Sequence, residues 1–161
     1  DCCANADGAA CLILAAEDIA RPLGGRTVWL DGVGCATASM SVLRRPNLVG
    51  LPSAQEASRL AYEMAGVTAG EVKVAEVHDC FTIAEITAIE DLGFFEKGEG
   101  GKATEEGLTA LNSQISINPS GGLKSKGHPV GATGIAQAVE HLLEDALEIF
   151  RGSENSACEQ Q

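Results

Sequence analysis

One segment of the chain, residues 118–134, combines a histidine with a high density of glycine. This glycine loop reads Asn-Pro-Ser-Gly-Gly-Leu-Lys-Ser-Lys-Gly-His-Pro-Val-Gly-Ala-Thr-Gly. Glycine tolerates positive φ and lets a backbone approach a ligand closely, and Pro129 favours an extended conformation at His128. Because a helix-periodic apolar run follows, we predict that His128 lies on a turn at a helix entrance, beside unpaired backbone N–H groups. This pattern indicates an active-site loop.

A second segment, residues 77–81, reads Val-His-Asp-Cys-Phe and follows a β-prone run at 72–77. Because side chains alternate along a strand, we predict that His78 and Cys80 share one side and that Asp79 faces the other. Ligands bind at the carboxyl ends of strands in open α/β sheets. Imidazole and thiol are well suited to proton transfer near neutral pH, so both are candidate catalytic groups.

The same three side chains, His78, Cys80 and His128, form a set that a catalytic zinc ion could use. A pair at i and i+2 with one distant histidine is a loose pattern, however, and it leaves the glycine density unexplained. We therefore predict no metal site. Stoichiometric zinc in the purified protein would favour the alternative.

The elements that must position these segments alternate along the chain, which predicts α/β layers. The pattern Ser53-x-x-Glu56 fits a capping box, and Gly66 is placed to end the helix that follows. Small residues at the start of the last helix predict that it is buried against the sheet. The predicted strands are 9–15, 27–33, 72–77 and 116–118, and the predicted helices are 16–25, 53–66, 81–92, a short one at 104–111, and 134–151.

Composition limits the classes of function. The 161 residues fit one domain, and the 4% of aromatic residues implies a core of Ala, Val, Ile and Leu. A net charge of −12 argues against nucleic acid and anionic membranes as partners. No apolar run is long enough to span a bilayer, which favours a cytoplasmic protein.

The six cysteines show neither C-x-x-C nor zinc-finger spacing, which indicates free thiols in a reducing cytosol. The adjacent Cys2 and Cys3 are interpreted as small buried residues, a reading that we favour over a redox pair. His141, in the last helix, is interpreted as a residue of its polar face. Structural roles are also predicted for Cys11, Cys35 and Cys158.

Three runs together closely resemble the thiolase superfamily, in its archaeal acetoacetyl-CoA thiolase and sterol-carrier-protein-x type branch. They are Ala-Glu-Val-His-Asp-Cys-Phe-Thr-Ile-Ala-Glu at 75–85, Glu-Asp-Leu-Gly-Phe at 90–94, and the glycine loop. The resemblance implies the C-terminal half of a five-layer αβαβα fold, with a mixed sheet and buried helices. It places the end of the N-terminal half at 1–25 and a C-terminal domain, lacking its last strands, at 26–161.

The resemblance also implies roles for the three candidate side chains. His128 would activate a nucleophilic cysteine, His78 would help to form an oxyanion hole, and Cys80 would be the acid/base of Claisen chemistry. Formation of a carbon–carbon bond beside a thioester needs a proton acceptor, donors for an enolate, and a thiol that accepts the acyl group. The nucleophile is expected upstream of Asp1, so this chain alone is expected to be inactive.

The implied activity is the reversible condensation of acyl-CoA, with acetyl-CoA giving acetoacetyl-CoA, and CoA thioesters are substrates rather than permanently bound cofactors. The alternatives are a longer-chain 3-ketoacyl-CoA thiolase, a thiolase-like aldolase, and a non-catalytic subunit that serves as an assembly surface. The implied partners are a second copy, in a homodimer or tetramer, a hydroxymethylglutaryl-CoA synthase, and a small zinc-ribbon/OB-fold protein.

The phosphates of CoA require local positive charge in so acidic a protein. For each basic candidate, a solvated surface charge with no role in binding is an equally good interpretation. The candidate substrate-binding residues are two loop glycines and four basic residues, namely Gly121, Gly122, Lys124, Lys126, Arg44 and Arg45.

Overall fold

The computed structural model describes residues 1–24 and 28–146. Two short 3₁₀ turns, Val42–Arg44 and Ala69–Glu71, flank the second helix. The helices are α1 (Glu17–Leu23), α2 (Pro52–Ala65), α3 (Thr82–Asp91), α4 (Gly100–Glu105), α5 (Gly122–Lys126) and α6 (Thr133–Ala146), and the strands are β1 (Val74–Ala75) and β2 (Ser116–Ile117).

The two strands pair in parallel, with Val74 opposite Ser116 and Ala75 opposite Ile117. Parallel strands need a long crossover connection, and here α3 and α4 supply it. Isolated bridges add one antiparallel and one parallel contact from the first residues of the chain. The predicted α/β class is therefore confirmed.

The core lies between the sheet and α3. Ile89 is completely buried there, and partly buried side chains, among them Phe94 and Phe95, pack around it. As the low aromatic content predicted, the buried cluster is aliphatic: Ala75, Val77, Ala88, Ile89 and Ile115.

The strands predicted at 9–15 and 27–33 are wrong for the described residues, since neither segment forms a ladder there. Ile13 is 88% exposed and Leu30 is 68% exposed. A run of apolar residues becomes a strand only when another backbone pairs with it, and no described segment does so. Thr27 lies outside the described residues.

The segment around Gly32 and Gly34 instead lies against α2. From 31 to 38 the residues are alternately exposed and half-buried, as in an extended chain with one covered face. A Cβ at Gly34 would collide with the backbone of Ala57, and one at Gly32 would collide with that of Ala61. The absence of side chains at these two glycines therefore permits the close contact with the helix.

The helices predicted at 16–25, 53–66 and 81–92 are confirmed as α1, α2 and α3, with shifts of a few residues at their ends. Residue 25 of the first of these ranges lies outside the described residues. Gly66 ends α2 in the left-handed conformation, as predicted. The short helix predicted at 104–111 forms earlier, as α4.

The predicted capping box at Ser53 and Glu56 is wrong, because Leu51 is the residue that caps α2 and Pro52 occupies its first turn. The free N–H of Leu51 instead donates to Oδ2 of Asp91 at 2.6 Å. With Leu51 before the first helical residue, the third helical position is Ala54, which has no side-chain acceptor, so a carboxylate from α3 accepts this N–H instead. The reciprocal box forms between Thr68 and Glu71.

Helix α6 is half-buried rather than buried. Thr133 is buried, Gly134 and Ile135 are exposed, and residues 136–142 are half-buried. The two-stranded sheet of the described residues is too small to cover this helix. The part of the prediction beyond residue 146, including Arg151, lies outside the described residues. No helix in the described part of the chain is long and apolar enough to cross a membrane.

We predict that Asp91→Ala lowers the free energy of unfolding by about 3 kcal/mol, because it removes a buried ion-pair partner. The Asp91 side chain is fully buried, and its Oδ1 lies 2.5 Å both from Nζ of Lys97 and from Nε2 of Gln55. Urea unfolding of the natural protein measures the effect. The control, Glu99→Ala, removes only an exposed ion pair and should cost less than about 1 kcal/mol. Equal losses of unfolding free energy in the two variants would contradict the prediction.

Candidate active site

The first residues of the chain run antiparallel to the segment that carries His78 and Cys80. Cys2 bridges to Phe81, and the N–H of Cys3 donates to the carbonyl oxygen of Cys80 at 2.9 Å. Nothing in the sequence signals this pairing, because two short segments far apart in the chain carry no register information. The interpretation of Cys2 and Cys3 as buried residues is wrong: Cys2 is exposed and Cys3 is half-buried.

The same N-terminal segment also holds the glycine loop. Asn5 forms a parallel bridge with His128, and the N–H of His128 donates to the carbonyl oxygen of Ala4 at 3.0 Å. Residues 2–5 therefore lie between the two segments that sequence analysis singled out. Their backbone fixes the distance between the two candidate histidines.

The two imidazoles are in direct contact. The ring centroids of His78 and His128 are 4.8 Å apart, and the rings meet edge to face at 76°. Partial burial is the largest cause that lowers the pKa of His78, the positive charge of a protonated His128 lowers it further, and Asp79 opposes both. His78 is therefore neutral at pH 7 and can donate one ring N–H.

Thr133, at the start of α6, orients His128. Its Oγ1 lies 2.7 Å from Nδ1 of His128 and donates to the carbonyl oxygen of Pro129 at 3.1 Å. Because the hydroxyl has one proton and directs it to Pro129, we assign Nδ1 as the donor to Thr133. Nε2 then carries the lone pair and can accept a proton. Sequence analysis did not single out Thr133.

Asp79 fixes the glycine loop to the end of β1. Its buried carboxylate accepts the N–H groups of Leu123 at 2.8 Å and Lys124 at 3.4 Å, in the first turn of α5. The prediction that Asp79 faces away from its neighbours is confirmed, since His78 is exposed and Cys80 half-buried. The hydrogen bonds of the buried Asp79 carboxylate thus set the positions of its neighbours, His78 and Cys80.

Asn118 joins the beginning of the glycine loop to the same strand end. Its Oδ1 accepts the N–H of Val77 at 2.7 Å, and its Nδ2 donates to Oε2 of Glu85 at 2.8 Å. Burial raises the pKa of Glu85, and the hydrogen bond from Asn118 opposes that shift. Asn118 holds a positive φ of 47°, which asparagine tolerates better than most residues.

Lys126 is tied to carboxylates. Its Nζ lies 3.8 Å from Oε2 of the buried Glu76 side chain and 3.4 Å from Oε1 of Glu140, and it donates to Oγ of Ser120 at 2.8 Å. Glu76 also accepts the N–H of Ser120 at 3.0 Å. Most of the charge of Lys126 is therefore compensated within the protein.

The other candidate substrate-binding residues do not form one cluster. Nζ of Lys124 donates to the carbonyl oxygen of Cys2 at 3.0 Å, and the side chain is exposed beside the site. Arg44 is exposed and Arg45 is half-buried. Within residues 1–24 and 28–146 no hydrogen bond or ion pair connects either arginine to the glycine loop. Gly121 precedes α5 with a φ of 89°.

The interpretation of His141 as a polar-face residue is wrong, because the side chain is half-buried against β1. Its Nε2 accepts the backbone N–H of Glu76 at 3.1 Å. Burial is the first cause that lowers the pKa of His141, so the ring is neutral at pH 7. Among the described residues no group of three or more His, Cys, Asp or Glu side chains is arranged to hold a metal ion.

The fold and site define an α/β domain that presents two imidazoles and a thiol on a strand end and a glycine-rich loop. The model of the family "Thiolase C-terminal domain-like" matches residues 34–146, and the chain belongs to this family. It is 46% identical to an acetyl-CoA acetyltransferase of Methanothermobacter thermautotrophicus over 140 residues, with 87% of this chain and 37% of the relative covered.

A second relative is sterol carrier protein 2 of Bos taurus, 40% identical over 144 residues, with 86% of this chain and 26% of the relative covered. Among solved structures, a chain of the Ltp2-ChsH2(DUF35) aldolase superposes with a TM-score of 0.59 at 24% identity. That superposition covers 67% of this chain and 29% of the other, and it shows a shared fold. The chain thus spans only about a quarter to two-fifths of the length of these relatives.

We predict that His128→Ala raises the pKa of His78, because the neighbouring positive charge no longer opposes protonation. The rise should be partial, since burial continues to lower the pKa. NMR titration of the imidazole protons measures both values. His141 is the internal reference, because its lowered pKa arises elsewhere. An unchanged or lowered pKa of His78 would contradict the contact between the rings.

We predict that Gly122→Ala destabilises the protein by about 2 kcal/mol, since the residue has a φ of 61° and a Cβ would collide with the Asp79 carboxylate. Gly131→Ala is the matched control within the same loop, because a Cβ there meets nothing. Chemical denaturation compares the two variants. If they lose the same stability, the close packing of Gly122 on Asp79 is not a constraint.

Proposed function

We propose that the natural protein containing this chain is a thiolase-type acyltransferase that forms and breaks a carbon–carbon bond beside a CoA thioester. The specific reaction that we propose is the condensation of two acetyl-CoA molecules to acetoacetyl-CoA and its reverse. The contact between His78 and His128, with ring centroids 4.8 Å apart and Cys80 two residues along, carries the proposal. Similarity to the acetyl-CoA acetyltransferase of Methanothermobacter thermautotrophicus supports it.

The geometry suits three separate roles. Nε2 of His128, opposite the nitrogen that faces Thr133, would take the proton of the thiol that accepts the acyl group. The neutral imidazole of His78 would donate an N–H to the enolate oxygen, and donors aimed at developing negative charge lower a barrier strongly. The thiol of Cys80 would exchange the proton of the carbon nucleophile. We propose that the acyl-accepting thiol comes from outside these 161 residues, so the chain alone has no turnover.

An aldolase and a non-catalytic subunit differ from a thiolase in one intermediate, the acyl-enzyme. An aldolase forms its carbon–carbon bond without first transferring an acyl group to a protein thiol, and a non-catalytic subunit transfers none. The likeness to the aldolase chain concerns the fold alone, so it does not separate these functions. A radiolabelled acyl-enzyme formed from acetyl-CoA separates a thiolase from both.

We propose that Lys124, exposed beside the site, contacts the phosphates of CoA, with the backbone of Gly121 and Gly122 close to the thioester. Lys126 is a weaker candidate because two carboxylates already compensate its charge. Arg44 and Arg45 are weaker because no hydrogen bond or ion pair among the described residues links them to the loop. We also propose a cytoplasmic homodimer or tetramer that works with a hydroxymethylglutaryl-CoA synthase and a small zinc-ribbon/OB-fold protein.

We predict three different phenotypes in the natural protein. His128→Ala should abolish acylation, because the accepting thiol loses its base. Cys80→Ala should retain acylation but stop condensation. His78→Ala should lower kcat by about 10²–10³, as expected when one oxyanion donor is lost. Trapping of the acyl-enzyme with labelled acetyl-CoA, together with the rate of acetoacetyl-CoA formation, measures both steps.

Lys73→Ala is a suitable control, since the side chain is exposed immediately before β1 and has no proposed role. It should acylate and condense at the parent rate. Condensation by Cys80→Ala at the parent rate would remove Cys80 from the mechanism. Absence of an acyl-enzyme in the unmodified protein would reject the thiolase function itself.

A further inference from the structure

Cys3 lies directly opposite Cys80 in an antiparallel pairing. Two backbone hydrogen bonds flank the bridge between Cys2 and Phe81: Cys3 N–H donates to the Cys80 oxygen at 2.9 Å, and the N–H of residue 82 donates to the oxygen of residue 1 at 3.1 Å. This register places Cys3 directly opposite Cys80, and one of the two backbone hydrogen bonds that such a pair can exchange is made. The Cα atoms of directly opposed residues lie about 4.5–5.5 Å apart, within the range that disulfides span.

The two thiols also share one face. Residues directly opposite each other in an antiparallel pair place their side chains on the same side. Both Cys3 and Cys80 are free and half-buried, so a small molecule can reach them. The pKa of the Cys3 thiol is raised first by burial and then by Cys2 and Cys80, as expected for neighbouring thiols.

We propose that Cys3 and Cys80 form a reversible disulfide by exchange with a low-molecular-weight disulfide such as oxidised glutathione. One cysteine thiolate attacks the glutathione disulfide, forms a mixed disulfide and releases one glutathione thiolate. The second cysteine thiolate attacks the protein sulfur of the mixed disulfide and releases the other. The two cysteines lose two electrons and two protons, and the glutathione disulfide is reduced to two glutathione molecules.

The consequence for activity rests on the proposed function. In the disulfide, Cys80 has no S–H and cannot exchange a proton with the carbon nucleophile, so condensation stops. His128 is untouched, so acylation of the accepting thiol should continue. The disulfide would therefore reproduce the phenotype of Cys80→Ala, and a reducing thiol should reverse it.

The test incubates the natural protein with mixtures of oxidised and reduced glutathione, alkylates the free thiols, and maps disulfides by mass spectrometry after trypsin digestion. Because no Lys or Arg separates Cys2, Cys3 and Cys11, they share one tryptic peptide, and variants are needed to assign the partner of Cys80. The crosslink should persist in Cys2→Ala and Cys11→Ala, disappear in Cys3→Ala and Cys80→Ala, and disappear in all proteins after reduction. Cys3→Ser repeats the test if Cys3→Ala folds poorly.

A second measurement tests the effect of the disulfide on activity separately from its formation. Oxidation should lower condensation at least tenfold in the parent protein and leave Cys3→Ala, whose Cys80 is intact, at its starting rate. A crosslink that forms while condensation is unchanged would uphold the disulfide site and reject the role of Cys80. Three results would overturn the proposal. They are glutathione adducts without a crosslink, a crosslink between Cys80 and either Cys2 or Cys11, and thiols of Cys3 and Cys80 that both stay unmodified.

Discussion

The arrangement of the site depends on one buried charge, the carboxylate of Asp79. A buried carboxylate is stable only when hydrogen bonds replace its lost water, and here the first turn of α5 supplies them. This requirement fastens the end of β1 to the glycine loop at one place. Because Asp79 lies between His78 and Cys80 in sequence, the interaction that satisfies the charge also sets the two side chains beside the loop that carries His128.

Further polar contacts hold the loop at its ends. Asn118 binds the strand end at Val77, and Glu76 with Lys126 connects the strand to the loop and to α6. Among the described residues, Oε2 of Glu76 is buried without a hydrogen-bond partner, and it lies 3.8 Å from Nζ of Lys126. A rigid polar network of this kind suits a site in which proton donors must stay at fixed positions.

The N-terminal residues have a position that their sequence does not suggest. Residues 2–5 insert between the two site segments and pair with both, in opposite directions. This backbone separates the two segments by a fixed spacing and places Cys3 opposite Cys80. A segment with no catalytic side chain of its own thus contributes to the geometry of the site and carries one partner of the proposed disulfide.

The sequence by itself determined the α/β class, the positions of α1, α2 and α3, the alternation at residues 77–80, and the side chains that form the candidate site. These follow from local rules, because periodicity, glycine at Gly66 and strand alternation act within a few residues. Only the tertiary structure decided that residues 9–15 and 28–33 form no ladder within the described residues, that the N–H of Leu51 before α2 donates to Asp91, and that Thr133 orients His128. The physical reason is that strand pairing, buried caps and ring contacts join residues far apart in the chain, and their partners are not encoded in either segment alone.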